Sequence, residues 1–187
     1  AVVQFLYFCI TSSWISVAVS LTFVQMQAYS ENISTDSLSG LYNRRYLDRI
    51  LALKEHLMQK SVYGIMMDVN DFKQINDLYG HSMGDQAIRV MGDILLKSVP
   101  DGGIPIRFAG DEFVVLLVQD DPNAVFETMT EINRRLDVLN RSGAEPFKLS
   151  VSMGQAKLDP SDPETFLREM DERMYEEKRR YHRLMQE

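Results

Sequence analysis

Three carboxylates have the types and spacing for chemistry. Asp111 and Glu112 are adjacent in Arg107-Phe108-Ala109-Gly110-Asp111-Glu112-Phe113, and Asp68 closes an apolar run that starts at Val62. Hard divalent cations such as magnesium prefer carboxylate oxygens combined with substrate phosphates, and two such ions can activate an attacking oxygen and stabilise a pentavalent phosphorus. Asp68 can join Asp111 and Glu112 only if the elements that carry them are neighbours in one sheet. Taken alone, an Asp-Glu pair beside a small-residue turn is more often an acidic surface hairpin, because Asp is common in turns.

The elements needed are readable. Phe113 to Val118 is short, β-branched and nearly unbroken, which suits a strand buried on both faces. Ile104, Ile106 and Phe108 alternate before it, so Ala109-Gly110 is expected to be the hairpin turn, with Gly110 giving backbone freedom and close access for a ligand. Val62 to Val69 reads as a strand ending at Asp68, Asn70 and Asp71, followed by a short helix from Phe72 to Leu78 that Gly80 stops. A longer helix is expected from Asp85 to about Lys97, with Ile88, Met91 and Leu95 inward. Asp85 is well placed simply to cap it, and Asn76 to end the shorter one.

Upstream, Asn43 can cap a helix to about Lys60 with Tyr46, Ile50, Leu53 and Leu57 on its core face. Asp77, Arg44 and Arg45 are expected to form ion pairs that lock the start of the domain, and His81 to be a structural hydrogen-bonding residue. Downstream, Asp121-Pro122 opens a helix with Val125, Met129, Ile132, Leu136 and Leu139 on one face. Phe147, Leu149, Val151 and Met153 alternate as a one-sided strand, and Asp162-Pro163 starts a last helix. This order gives an α/β sandwich with at least four strands.

Composition limits the function classes. The chain has 187 residues, 45% hydrophobic and 25% charged, as expected of a folded domain. Its net charge of -7 argues against a nucleic-acid partner, whose phosphates need a basic face. Cys9 is the single cysteine, so no intrachain disulfide framework exists. Ala1 to Ser30 carries no charge, and Phe5 to Val24 has about the length of a membrane-spanning helix. Ile15, Val17, Val19, Leu21 and Phe23 also alternate with Ser16, Ala18, Ser20 and Thr22, the period of a strand from some upstream domain. Length and absence of charge favour the membrane helix. Arg44, Arg45 and Arg49 follow it closely, which favours a cytoplasmic C-terminal part at the inner membrane. The expected organisation is a transmembrane helix over residues 1–28, a linker over 29–35 and a catalytic domain over 36–187. The missing initial Met leads us to expect a longer chain with its sensing portion upstream, and there is no basic start that would mark a signal peptide.

The segment Asp68-Val69-Asn70-Asp71-Phe72-Lys73-Gln74-Ile75-Asn76-Asp77-Leu78-Tyr79-Gly80-His81-Ser82-Met83-Gly84-Asp85 strongly resembles the corresponding part of the GGDEF family of diguanylate cyclases. Three further motifs fall in family order: Asp36 to Arg45 at the domain start, Arg107 to Phe113 as the signature, and Met174-Tyr175-Glu176-Glu177-Lys178 near the end. The resemblance covers about Thr35 to Arg180. It implies an α+β, palm-like nucleotide cyclase fold with a central mixed, largely antiparallel sheet flanked by helices, here preceded by an N-terminal hydrophobic helix. It also implies an activity, the condensation of two GTP into cyclic di-GMP across a homodimer, with loss of two pyrophosphates.

By position, the resemblance makes Asp68, Asp111 and the Val69 carbonyl ligands of two magnesium ions, with manganese a workable substitute. Glu112 would lie beside the attacking hydroxyl. Asn76 and Asp85 would read the guanine edge, where an Asp accepts from N1-H and the 2-amino group. Phe72, Lys73 and Lys178 would hold the β- and γ-phosphates, and the Gly110 backbone would lie against the nucleotide. Partners are then GTP, a second copy and the membrane, with no nucleic acid.

Four departures stand out. Ala109 replaces the first signature glycine, Asn70 stands where many members have Asp, and the usual Gly-Arg-Asn after Lys178 is absent. The stretch Pro100-Asp101-Gly102-Gly103 lacks the family's Arg-x-x-Asp, so no inhibitory product site is expected. Ala109 and the altered tail leave room for a catalytically silent relative that binds GTP and regulates a partner.

Overall fold

The computed structural model of the protein describes residues 13–26, 34–53 and 61–185. The chain divides into two compact units, Ala1–Ser34 and Thr35–Glu187. In the first, residues 13–26 form a helix, α1, with exposed side chains. The Ile15 to Phe23 alternation is therefore not a strand. Thr22 donates its hydroxyl to the Ala18 carbonyl at 2.8 Å, so the polar residues of the stretch fit a helix by bonding back to its own backbone. Among the described residues no helix is long and apolar enough to cross a membrane. The expected membrane helix is thus not supported as a span. Its first part, with most of the linker, lies outside the described residues.

The second unit is built on a five-stranded sheet in the order β1-β3-β4-β2-β5. Its strands are β1 (Tyr42–Asn43), β2 (Val62–Val69), β3 (Ile104–Ala109), β4 (Glu112–Val118) and β5 (Val151–Lys157). Only the β1 and β3 pair is parallel. The helices are α2 (Arg44–Ala52), α3 (Phe72–Tyr79), α4 (His81–Ser98), α5 (Asn123–Ser142) and α6 (Pro163–Leu184). The mixed, largely antiparallel sheet flanked by helices agrees with the expectation.

Strand pleating sorts the core into two layers. Ile65, Met67 and Val69 of β2 and Phe113, Val115 and Leu117 of β4 pack with Ile75, Ile88, Met91, Leu95, Val125, Ile132 and Leu136 under α3, α4 and α5. Val62 and Met66 with Val114 and Leu116 face the other way, onto Leu47 and Leu51 of α2 and Phe166, Met170 and Met174 of α6. Burial on both faces explains why β2 and β4 read as near-continuous apolar runs. At Gly154 of β5 a side chain would collide with α6 backbone at Met170 and Met174, so this glycine lets α6 lie directly on the sheet.

Several boundaries differ from expectation. The hairpin turn is Gly110-Asp111: Ala109 is the last residue of β3 and pairs with Glu112, after a register shift between Arg107 and Ala109. The buried face of α2 is Leu47 and Leu51, with Leu53 exposed, and residues 54–60 of the expected helix, including Leu57, lie outside the described residues. Asn43 does cap α2, accepting from the Tyr46 N–H at 3.2 Å. The α4 helix starts at His81, not Asp85, because Gly80 both ends α3 and opens α4. Pro122 is itself the N-cap residue of α5, while Asp121 accepts from the Asn123 N–H at 2.9 Å. Asp162 caps α6 as expected, accepting from the Thr165 N–H at 3.1 Å with Pro163 in the first turn.

The final strand is also displaced. Phe147 and Leu149 are buried but precede β5, which begins at Val151 and has buried residues on both faces. Here Asn140 of α5 takes the place of a strand neighbour: its carboxamide accepts from the Leu149 N–H at 2.9 Å and donates to the Leu149 carbonyl at 2.7 Å.

Candidate active site

The acidic corner is fixed by the sheet. Asp68 of β2 lies directly opposite Glu112 of β4, and the next N–H along, that of Val69, donates to the Asp111 carbonyl at 3.2 Å. The strand end and the hairpin turn thus meet, as the chemistry required. Gly110 makes the turn with φ +46°, a left-handed conformation that favours glycine. Among the described residues Asp71 is the only other residue type at positive φ, so Ala109 occupies a position that does not need glycine.

Crowding of like charge is evident in the carboxyl groups. Burial, then the Asp68 charge, pushes the Asp111 carboxyl above its ordinary value. Burial, then the charges of Asp68, Asp111 and Asp171, does the same to Glu112. Asp171 and Lys178 are both on α6, seven positions apart, which places them on one helix face. Lys178 donates to Asp68 Oδ1 at 2.6 Å. It thus sits on the carboxylate here, where the family pattern led us to expect a phosphate ligand.

The donor set suits a hard cation. Asp68, Asp111 and the Val69 carbonyl offer only oxygen, and magnesium is usually held by one or two carboxylates plus substrate phosphates rather than by an all-protein cage. Among the described residues no three acidic, histidine or cysteine side chains form such a cage. Burial and neighbouring carboxylates push the Asp111 and Glu112 carboxyls up, and a bound cation would offset that cost.

The second corner is built from helices. Asp71 opens α3 with φ 55° and ψ 25°, and its carbonyl accepts from the N–H groups of Gln74 at 2.8 Å and Ile75 at 3.2 Å. That leaves the N–H groups of Phe72 and Lys73 at the open, positive end of the helix, suited to phosphate. The Asp71 carboxylate is gripped by the Tyr181 hydroxyl at 3.0 Å and by Gln74 Nε2 at 3.2 Å, with His182 Nε2 at 3.6 Å. Tyr181 and His182, among the residues that replace the usual tail, therefore hold the turn that opens α3. Asn70, in place of the usual Asp, is buried and structural, bonded to Ser150 at 3.1 Å and Ser152 at 2.7 Å.

Asn76 does not cap α3 with its side chain; its carbonyl accepts from the Gly80 N–H at 2.9 Å, and the carboxamide lies against Gly84 of α4. Asp85, the next residue, is an exposed interior position of α4 and so is not its cap. Asn76 thus packs against α4 at the residue just before Asp85.

The domain start is tied to the hairpin. Arg107 donates to Asp36 Oδ1 at 3.0 Å and to the Gly110 carbonyl at 2.9 Å. Asp36 also accepts from the Ser39 N–H and hydroxyl, both at 2.8 Å. Burial alone would push the Asp36 carboxyl up, but these hydrogen bonds and the Arg107 charge outweigh it and hold the group below its ordinary value. The domain start is thus locked by Asp36 with Arg107, a pair outside those expected from the sequence. Asp77 is exposed, and the Arg44 guanidinium lies 4.4 Å from the centre of the Phe108 ring. Nothing in the local pattern signals the contacts of Arg107 and Asp71 or the place of Asp171 near the acidic corner. The spacing of Asp171 and Lys178 on one helix face was the only available clue.

A family model described as "Diguanylate cyclase, GGDEF domain" matches residues 33–183. The chain belongs to this family. The probable diguanylate cyclase DgcT of Escherichia coli is 34% identical over 149 residues, covering 76% of this chain and 33% of that protein. The diguanylate cyclase VdcA of Vibrio cholerae is 31% identical over 159 residues, covering 82% of this chain and 47% of that protein. This GGDEF chain spans about a third of the length of the first curated relatives it matches. The coiled coil and GGDEF domain of DgcB from Caulobacter crescentus, solved with c-di-GMP, superposes with a TM-score of 0.72 at 22% identity, covering 89% of this chain and 92% of that one.

Proposed function

We propose that this GGDEF domain is an active diguanylate cyclase. Each of two facing copies binds one GTP; the ribose 3′-oxygen of one attacks the α-phosphorus of the other, the bond to the bridging oxygen breaks, and pyrophosphate leaves. The same step in the opposite direction closes cyclic di-GMP. The observation that carries this reading is the meeting of Asp68-Val69 with Asp111-Glu112 at the end of β2 and the β3–β4 turn.

In this proposal Asp68, Asp111 and the Val69 carbonyl hold magnesium, which when bound supplies charge neutralisation at the α-phosphate and a more acidic 3′-hydroxyl. Glu112, held above its ordinary pKa, is suited to accept the hydroxyl proton. Phe72 and Lys73 hold the outer phosphates at the start of α3. Lys178 is the internal partner of Asp68 and a candidate phosphate contact, while Gly110 keeps the turn thin beside the nucleotide. Asn76 and Asp85 read guanine. We further propose that the unit works in the cytoplasm at the inner membrane, a reading that rests on the charge-free start and on Arg44, Arg45 and Arg49.

The test is incubation of the chain, artificially dimerised, with GTP and magnesium. Cyclic di-GMP that disappears in Asp111→Ala is the expected result. Tight GTP binding without product would make the domain a silent nucleotide binder.

A further inference from the structure

The helix α4 keeps a glycine where a helix gains nothing from one. Gly84 is a buried, interior residue of this 18-residue helix, and glycine there costs about 1 kcal/mol relative to alanine. Its φ is not in the left-handed region, so backbone conformation does not demand it. Space does. A Cβ on Gly84 would overlap Asn76 Oδ1 and stand 2.9 Å from Asn76 Cγ and 3.3 Å from Asn76 Nδ2. The three nearest neighbours of the absent methyl group are thus one carboxamide.

Gly92, further along α4, differs. There a Cβ would meet the Ser39 main chain, which cannot step aside. At Gly84 the obstacle is the end of a half-exposed side chain that can rotate away.

We propose that Gly84 is a positioning residue for guanine selection: its missing side chain is the seat that holds the Asn76 carboxamide against α4. The inference rests on the reading of Asn76 and Asp85 as the guanine-reading pair. Alanine at this position leaves the helix intact and displaces the carboxamide, so Gly84 acts on the base through Asn76 alone.

Equilibrium binding of GTP and of inorganic tripolyphosphate to the whole chain tests this, alongside melting curves. Gly84→Ala is expected to weaken GTP about tenfold, the loss of a hydrogen bond to the base. Tripolyphosphate affinity and melting temperature should be unchanged or, for the latter, higher. In an Asn76→Ala background the same substitution should cost no further GTP affinity, because the two residues act as one unit. Additive losses, or wild-type GTP affinity in Gly84→Ala beside weak binding in Asn76→Ala, would overturn the seat and leave the guanine reading standing. Wild-type affinity in Asn76→Ala would remove that reading and the seat with it. If Gly84→Ala does not fold, recovery of folding in the double variant supports the contact, and failure of both overturns it.

Discussion

At the acidic corner, Asp68 and Glu112 are directly opposite residues of a ladder whose central strands are buried on both faces, and Val69 is bonded to the turn that carries Asp111. At the other corner, Asn76 and Asp85 sit on two helices joined through Gly80, with Asp85 exposed and the Asn76 carboxamide packed against Gly84. The first corner is held by main-chain hydrogen bonds and tolerates concentrated charge. The second is held by side-chain packing, so it can be adjusted without disturbing the core. Under the proposed function, the groups that would keep a fixed geometry around a cation are on the sheet, and those that would discriminate the base are on the helices.

This contrast predicts separable defects. Asp68→Ala should lower turnover by more than about a hundredfold, the scale of losing an electrostatic group at the reacting centre. Product chromatography would measure it, and GTP affinity should fall far less. Asp85→Ala should do the reverse, weakening GTP by at least about tenfold in a binding titration. A variant of the acidic corner that altered base selectivity, or one of the helical corner that altered turnover at saturating GTP alone, would break the division.

A smaller effect concerns stability. Burial and the neighbouring acids hold Asp111 above 3.8 and Glu112 above 4.5, so the folded protein keeps protons that the unfolded chain has released. Without divalent cation the domain should therefore lose stability as pH rises from 3.8 through the raised values. Asp111→Asn should melt above the wild type at pH 7 in chelator, by a margin that shrinks toward acid pH. Lower melting of that variant at pH 7 would show that the crowding is already compensated. The smallest change is expected from Ala109→Gly: turnover within about twofold and a stability loss of about 0.5–1 kcal/mol by denaturant titration, because position 109 ends β3 without a positive φ and so does not need glycine.

Much of this was legible in the sequence because near-continuous apolar runs mark β2 and β4, alternation marks β3 and helical spacing marks α5, and because Asp68 and Asp111 stand where a strand and a turn end. The misplaced elements have physical reasons. Phe147 and Leu149 alternate like a strand because both are buried, yet the Asn140 carboxamide supplies the ladder bonds there. Within β5, Gly154 and Ala156 are small where α6 presses on the sheet, which erases the apolar signature. Asp85 looked like the cap of a helix starting there, whereas α4 begins at His81 and runs through it. Contacts such as Lys178 with Asp68 and Tyr181 with Asp71 join residues 110 positions apart, beyond any local pattern.

The Asp36–Arg107–Gly110 connection makes the entrance of the folded unit and its reactive turn mechanically continuous. Thr35 begins the unit, and one residue later the chain is fastened to a guanidinium that also grips the carbonyl just before Asp111. A twist or pull applied to the entering chain has a path to that turn through two side chains and two hydrogen bonds. Stiffness there, rather than any change in the core, sets how faithfully such a displacement arrives.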